Sequence, residues 1–161
     1  MACVGFSQQP SPAPLQSNAP QAESSATTPA TQDKASVYVY RYKQYVGSAL
    51  SPSVYCDEAE LARMENGRYF TIKLSPGKHA FRSNDKQSGV EVNLKSGEEY
   101  FLRVEIAAGF MKGHGRLIAV MPEQAKFELQ SKKLKPLSAE KVTDKEHVSI
   151  EPIAFGETAS K

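Results

Sequence analysis

The chain has 161 residues, a formal net charge of +2 and a mean hydropathy of −0.47, which leaves room for one domain around a single hydrophobic core. No run of eighteen apolar residues is present that would read as a membrane span, and no apolar core of a secretory leader is visible. Its two cysteines, Cys3 and Cys56, and three histidines, His79, His114 and His147, show no CxxC or Cys/His ligand spacing, so neither a disulfide, a metal site nor a cofactor is expected.

Residues 1–35 are rich in Pro, Ser, Ala, Gln and Thr and hold no aromatic residue after Phe6. Such a segment buries too little surface to offset chain entropy and reads as a disordered tether. Met1-Ala2-Cys3 places a small residue directly before a cysteine, ahead of that tether. The arrangement resembles the cleavage site of a bacterial lipoprotein, in which the cysteine carries the lipid. It implies lipidation at Cys3 and a cell-envelope address, periplasmic or surface-facing, lipid-anchored or secreted. The alternative is a cytoplasmic chain that starts at Met1.

Residues 36–137 hold all seven tyrosines and most β-branched residues. Ser36–Lys43 alternates strictly, Val37 and Val39 facing one way and Tyr38, Tyr40 and Tyr42 the other, as a strand requires. After a loop at 44–53, Ser53–Asp57 and Leu61–Met64 predict two short strands about a tight turn at Asp57–Ala59. Asn66-Gly67 supplies two residues tolerant of positive φ and predicts a type I′ hairpin into the strand Tyr69–Leu74. Ser75-Pro76-Gly77 predicts a turn, followed by Lys78–Arg82 and a polar loop to Gly89. Val90, Val92 and Leu94 alternate with polar residues, as do Tyr100, Leu102, Val104 and Ile106 after the Ser96-Gly97 turn. A glycine-rich loop at 108–115 leads to Arg116–Val120, whose nearly continuous apolar character suggests a central strand. Pro122 is placed to open a short helix toward Lys133. Residues 138–161 are polar and read as a flexible tail, although Val148, Ile150 and Ile153 have strand-like spacing that could extend a sheet edge, with Pro152 limiting the pairing.

Head and tail are acidic on balance, so the core segment carries about +5. Both signs are interspersed along it, which favours solubility over nucleic-acid binding. Seven or eight strands with turn signals about every ten residues predict a mainly β fold, a small antiparallel β-sandwich with a short C-terminal helix, flanked by disordered tails.

The stretches Pro52–Asp57, Leu61-Ala62, Asn66–Phe70, Pro76–His79, Phe81-Arg82 and Gly113–Gly115 together resemble an uncharacterised bacterial family, DUF2846, often found in predicted lipoproteins and secreted proteins. The likeness spans most of 36–137 and brings no activity or catalytic residues with it. The Asn66–His79 portion is also similar to PEGA-type domains on a prealbumin-like sandwich, an analogy of fold that does not fix function.

Candidate sites follow from chemistry. The loop 109–116 interleaves glycines with Lys112, His114 and Arg116 and carries Phe110. Converging cations on a glycine backbone suit an anion, whereas a plain connection needs the same residues for turning and solvation. Tyr38, Tyr40 and Tyr42 would suit stacking on sugars or a partner protein if their sheet face is exposed, and are packing residues if it is covered. Cys56 reads as a small buried hydrophobe, and His79 as a local brace for its hairpin. No nucleophile elbow, P-loop, HExxH or dinucleotide fingerprint is present. The sequence thus predicts a non-enzymatic envelope module that binds a protein, glycan or lipid headgroup, with no nucleic acid, and with membrane contact through a lipid on Cys3. The rival expectation is a small enzyme or ligand carrier with a pocket near His79, His114 and Cys56.

Overall fold

Strict alternation along Ala35–Tyr40 (β1) fixes two unlike faces, and the fold is built on both. The computed structural model describes residues 33–85, 89–107 and 114–153, all within one compact unit, Thr31–Lys161. The further strands are Ser53–Cys56 (β2), Ala59–Arg63 (β3), Arg68–Leu74 (β4), Gly77–Arg82 (β5), Gly89–Leu94 (β6), Glu99–Ala107 (β7), His114–Val120 (β8), Lys135–Pro136 (β9) and Val148–Ser149 (β10). A single α-helix among the described residues, Pro122–Ser131 (α1), begins with Pro at its first turn, where the missing N–H is no loss.

One sheet runs β10-β4-β1-β7-β8, with β9 also paired to β4; the other runs β3-β2-β5-β6. The predicted mainly β, two-sheet architecture with a short helix is observed. Its pairings are antiparallel except β1 with β7 and β4 with β9, which are parallel. Val37, Val39, Phe70, Ile72, Leu102 and Val104 face the second sheet and meet Val54, Cys56, Phe81 and Leu94 in one core. β1 is the central strand of its sheet and β8 its edge, contrary to the expectation for Arg116–Val120. That strand is apolar because Leu117 enters the main core while Val120 packs into a second one, under the helix.

The turn chemistry is redistributed as well. β3 and β4 belong to different sheets, so Asn66-Gly67 carries the chain across the sandwich and is no hairpin. Gly67 alone takes positive φ, at 71°, where a Cβ would press on the Lys43 side chain. Asn66 instead uses its amide to bond the Gln44 backbone, N–H to Oδ1 at 2.8 Å and Nδ2–H to the carbonyl at 2.7 Å. The tight hairpin lies between β2 and β3, with Asp57 (φ 47°) and Glu58 (φ 70°) as its two central residues. Both positive φ values match a type I′ turn.

The second core lies on the outer face of the larger sheet, where Tyr40, Tyr69 and Phe101 meet Ala125 and Leu129 of α1. A polar cluster fastens the helix beside them. Glu128 accepts hydrogen bonds from Tyr40 Oη at 2.5 Å, Arg103 Nη1 at 3.0 Å and Gln124 Nε2 at 2.8 Å. Burial would raise the Glu128 carboxyl, but the bonds from Tyr40, Tyr42, Gln124 and Arg103 outweigh it and hold it below the usual carboxylate value.

Residues 138–153 lie on the domain, where the sequence predicted a flexible tail. Val142, Val148 and Ile150 pack on the main core. The Thr143 and Asp144 N–H groups donate to the Leu61 carbonyl at 2.9 and 3.0 Å, and Val148 pairs with Ile72. This segment therefore bridges β3 of one sheet and β4 of the other. Its alternating apolar residues are enough to bury one side, while Pro152 lies beyond the two-residue pairing. Residues 1–32 and 154–161, including Cys3, lie outside the described residues.

Candidate functional site

Two places in this frame gather unusual chemistry. The first is the corner formed by the β2–β3 turn and the start of β5. Cys56 and Phe81 are paired across β2 and β5, so Cys56 points into the sandwich, and His79, two residues before Phe81, points the same way. Asp57 follows Cys56 into the turn. Its N–H donates to the Ala80 carbonyl at 2.9 Å, and its Oδ1 accepts from the Ala80 N–H at 2.8 Å. The carboxylate thereby extends the strand pairing with its own side chain and is left with Oδ2 free to face inward.

Oδ2 lies 2.6 Å from His79 Nδ1 and accepts a weak bond from the Cys56 Sγ–H at 3.6 Å. Sγ and Nδ1 are 4.0 Å apart. The other ring nitrogen, Nε2, lies 3.0 Å from the Ser75 carbonyl, which only accepts, so Nε2 carries the hydrogen. His79 thus braces its turn as expected, and in addition joins Cys56 and Asp57 in a three-donor cluster. Burial, and then the negative charges of Asp57 and Asp144, push the Cys56 thiol up to about 12. For Asp57 burial acts upward, but the Ala80 N–H and His79 outweigh it and lower the carboxyl. A thiol held protonated, with the imidazole Nε2 tied to a backbone carbonyl, is a poor arrangement for nucleophilic catalysis.

The second place is the end of the sandwich where β1 leads into β2. Arg41 is fully buried and donates through Nη1 to the Leu50 carbonyl at 2.5 Å and through Nη2 to the Gly47 carbonyl at 2.7 Å. Its Nη1 also reaches the Met64 carbonyl at 3.5 Å, while Nε is buried without a partner. Burial lowers the guanidinium from its usual range, yet its planar fork remains a strong donor. Arg41 therefore holds the 42–52 loop from within, as Asn66 holds its start. The loop presents Tyr45 at 96% and Val46 at 77% exposure, apolar groups kept in water by a braced backbone. Gly47 lies close to Ile106 of β7, so this loop stands near the end of the strand that precedes residue 108.

The predicted site residues fall unevenly on this frame. His114 and Arg116 are exposed at the start of β8, whereas Phe110 and Lys112 lie outside the described residues. His114 is not among the donors gathered with Cys56 and His79. Tyr40 is wholly buried, and Tyr38 and Tyr42 are half-buried. Tyr38 stacks on Phe101 with ring centroids 4.9 Å apart, and Arg103 and Lys132 lie over the Tyr42 ring. The aromatic face is thus a seat for α1, with Tyr40 covered and Tyr38 and Tyr42 left half-buried at its margins. Sequence reasoning paired Cys56 with His79 and placed Asp57 in a tight turn, which is observed, but missed that the turn brings the Asp57 carboxylate to both of them. The Arg41 brace was missed too, because an arginine next to a tyrosine strand carries no sign of burial.

Among the described residues no helix is long and apolar enough to cross a membrane. An uncharacterised protein of Haemophilus influenzae is 27% identical over 92 residues, covering 56% of this chain and 54% of the relative. The chain thus spans about half the length of that curated relative. Residues 31–116 match the model of a protein family of unknown function, DUF2846, and the chain belongs to that family.

Proposed function

We propose that this chain is a non-enzymatic binding module of the bacterial cell envelope, tethered through a lipid on Cys3, whose sandwich meets an envelope protein with its 42–52 loop. The observation that carries this reading is the exposed Tyr45-Val46 pair on a loop pinned by buried Arg41. A flexible loop would lose ordering entropy on binding; a braced one offers its aromatic anchor already in place. His114 and Arg116 provide exposed polar groups at the start of β8, suited to the rim of an interface. The poor fit of the Cys56–His79 pair to nucleophilic chemistry favours binding over the rival enzyme reading, and the family resemblance to predicted lipoproteins favours the envelope.

The test is photo-crosslinking in cells from a residue placed at position 45, together with labelled fatty acid to follow Cys3. Expected are a discrete crosslinked envelope protein, its loss in the Tyr45→Ser/Val46→Ser variant, and label that disappears in Cys3→Ser. Crosslinking to lipid or glycan alone, or partner association unchanged by the double variant, would overturn the protein-binding surface. Absence of label on Cys3 would overturn the anchor.

A further inference from the structure

The Cys56–Asp57–His79 corner has features that a structural brace does not require. Its three donor atoms, Sγ, Oδ2 and Nδ1, all lie within 4.8 Å of one another. They represent three ligand classes, thiolate, carboxylate and imidazole, whose common preference is a borderline-soft divalent ion. We propose that Cys56 Sγ, Asp57 Oδ2 and His79 Nδ1 form a binding site for zinc or a chemically similar divalent metal, with a fourth position open to solvent. This site is independent of the Tyr45-Val46 surface and of the lipid anchor.

Geometry supports the assignment at two levels. In a tetrahedral zinc site with these ligands the donor atoms stand about 3.2–3.7 Å apart. The observed separations are 2.6, 3.6 and 4.0 Å, so a short outward movement of Oδ2 from Nδ1 and a small approach of Sγ produce the metal geometry. The metal then replaces the contact between carboxylate and imidazole. Around the donors, the outer hydrogen bonds are already in place. Nε2–H on the Ser75 carbonyl orients the ring with Nδ1 inward, and the Ala80 N–H on Oδ1 leaves Oδ2 as the ligating oxygen. Ligating histidines and carboxylates are commonly held in this way.

Charge and backbone agree. Asp57 Oδ2 lies beside both the Cys56 sulfur and the His79 ring, so a cation among the three meets a carboxylate and a thiolate at once. As the metal–nitrogen and metal–sulfur bonds form, the proton between Nδ1 and Oδ2 and the thiol proton both leave to solvent, and metal and thiolate compensate one another. Asp57 sits at φ 47°, a conformation that costs a non-glycine residue energy and is often retained at functional sites. A shallow cleft lined by Asp57, Lys78, His79, Ala80 and Glu91 opens beside the donors and gives the fourth ligand, water or a carboxylate, a way in.

The experiment uses the reduced full chain carrying Cys3→Ser, which removes the other thiol, freed of metal by chelation and titrated with Co2+ and then Zn2+. Expected is one Co2+ per chain with a thiolate-to-cobalt charge-transfer band, displaced by Zn2+. Cys56→Ser should abolish the band. Asp57→Asn keeps the turn, because Asn accepts positive φ readily, and should weaken binding at least about tenfold with the circular dichroism unchanged. A titration without a thiolate band overturns the site, as does a band that survives Cys56→Ser or an affinity untouched by Asp57→Asn.

Discussion

Replacing Glu128 by Gln tests whether the buried polar cluster holds α1 to the sheet. The side chains of Arg103 and Glu128 are 15% and 10% exposed, so solvent screens the pair little. Glutamine keeps the size of the side chain and an oxygen to accept the Tyr40 hydroxyl, but it presents a neutral group to Arg103. Arg103 retains its bond to Glu105 at 2.7 Å, which limits the loss. Hydrogen bonds to a charged partner contribute about 1.5–3 kcal/mol against about 1 for neutral ones. Three are converted, those from Arg103, Tyr40 and Gln124, so the expected destabilisation is about 3 kcal/mol at neutral pH. The pH dependence has a definite sign. Because the folded Glu128 carboxyl lies below its ordinary value, its contribution is present above the unfolded pKa and is lost as pH falls through the folded one. The gap between the native and Gln chains should therefore narrow in acid, since the variant has nothing to protonate at this position. Urea denaturation of both chains, from neutral pH down to about pH 3, measures it. A neutral-pH difference below about 0.5 kcal/mol, or one that stays constant into acid, would refute the reasoning.

Gly115→Ala probes the close approach of β8 to its neighbours. An added Cβ would collide with Pro52 Cβ and Ser83 Oγ, both on buried residues, and overpacking of this kind costs about 1–3 kcal/mol; the urea midpoint should fall with an unchanged slope. Glu58→Gly removes a side chain from a position at φ 70°. The Arg82 ion pair lost with it is 80% exposed on the glutamate side and contributes little, so relief of the left-handed backbone prevails. The melting temperature is expected to rise, and a clear fall would show that the pair matters more than the strain.

Much of the frame was legible in the sequence because the signals are local. Period-two alternation put Val37 with Val39, Phe70 with Ile72, and Leu102 with Val104 on shared faces, and all six are buried. Pro122 marked the start of α1. What alternation cannot express is which strands become neighbours. Asn66-Gly67 has the residues of a hairpin turn, but β4 finds β1, and the chain crosses between sheets. The tight turn expected at Asp57–Ala59 is present, and Asp57-Glu58 holds its left-handed backbone without a glycine because β2 and β3 pair on either side of it. The tyrosine row likewise has one pattern whether open or covered, and only the docking of α1 from a distant part of the chain covers it.

The sequence by itself determined the two-sheet class, the shared faces of the main strands, the single helix and the family, since each follows from short-range periodicity or residue identity. Tertiary structure alone decided the parallel β1–β7 pairing, the lacing of residues 142–149 across the two sheets and the burial of Arg41. It also brought Cys56 and Asp57 to His79, 23 positions from Cys56. These all depend on contacts between remote segments, whose free energy belongs to the assembled core and to no single stretch of residues.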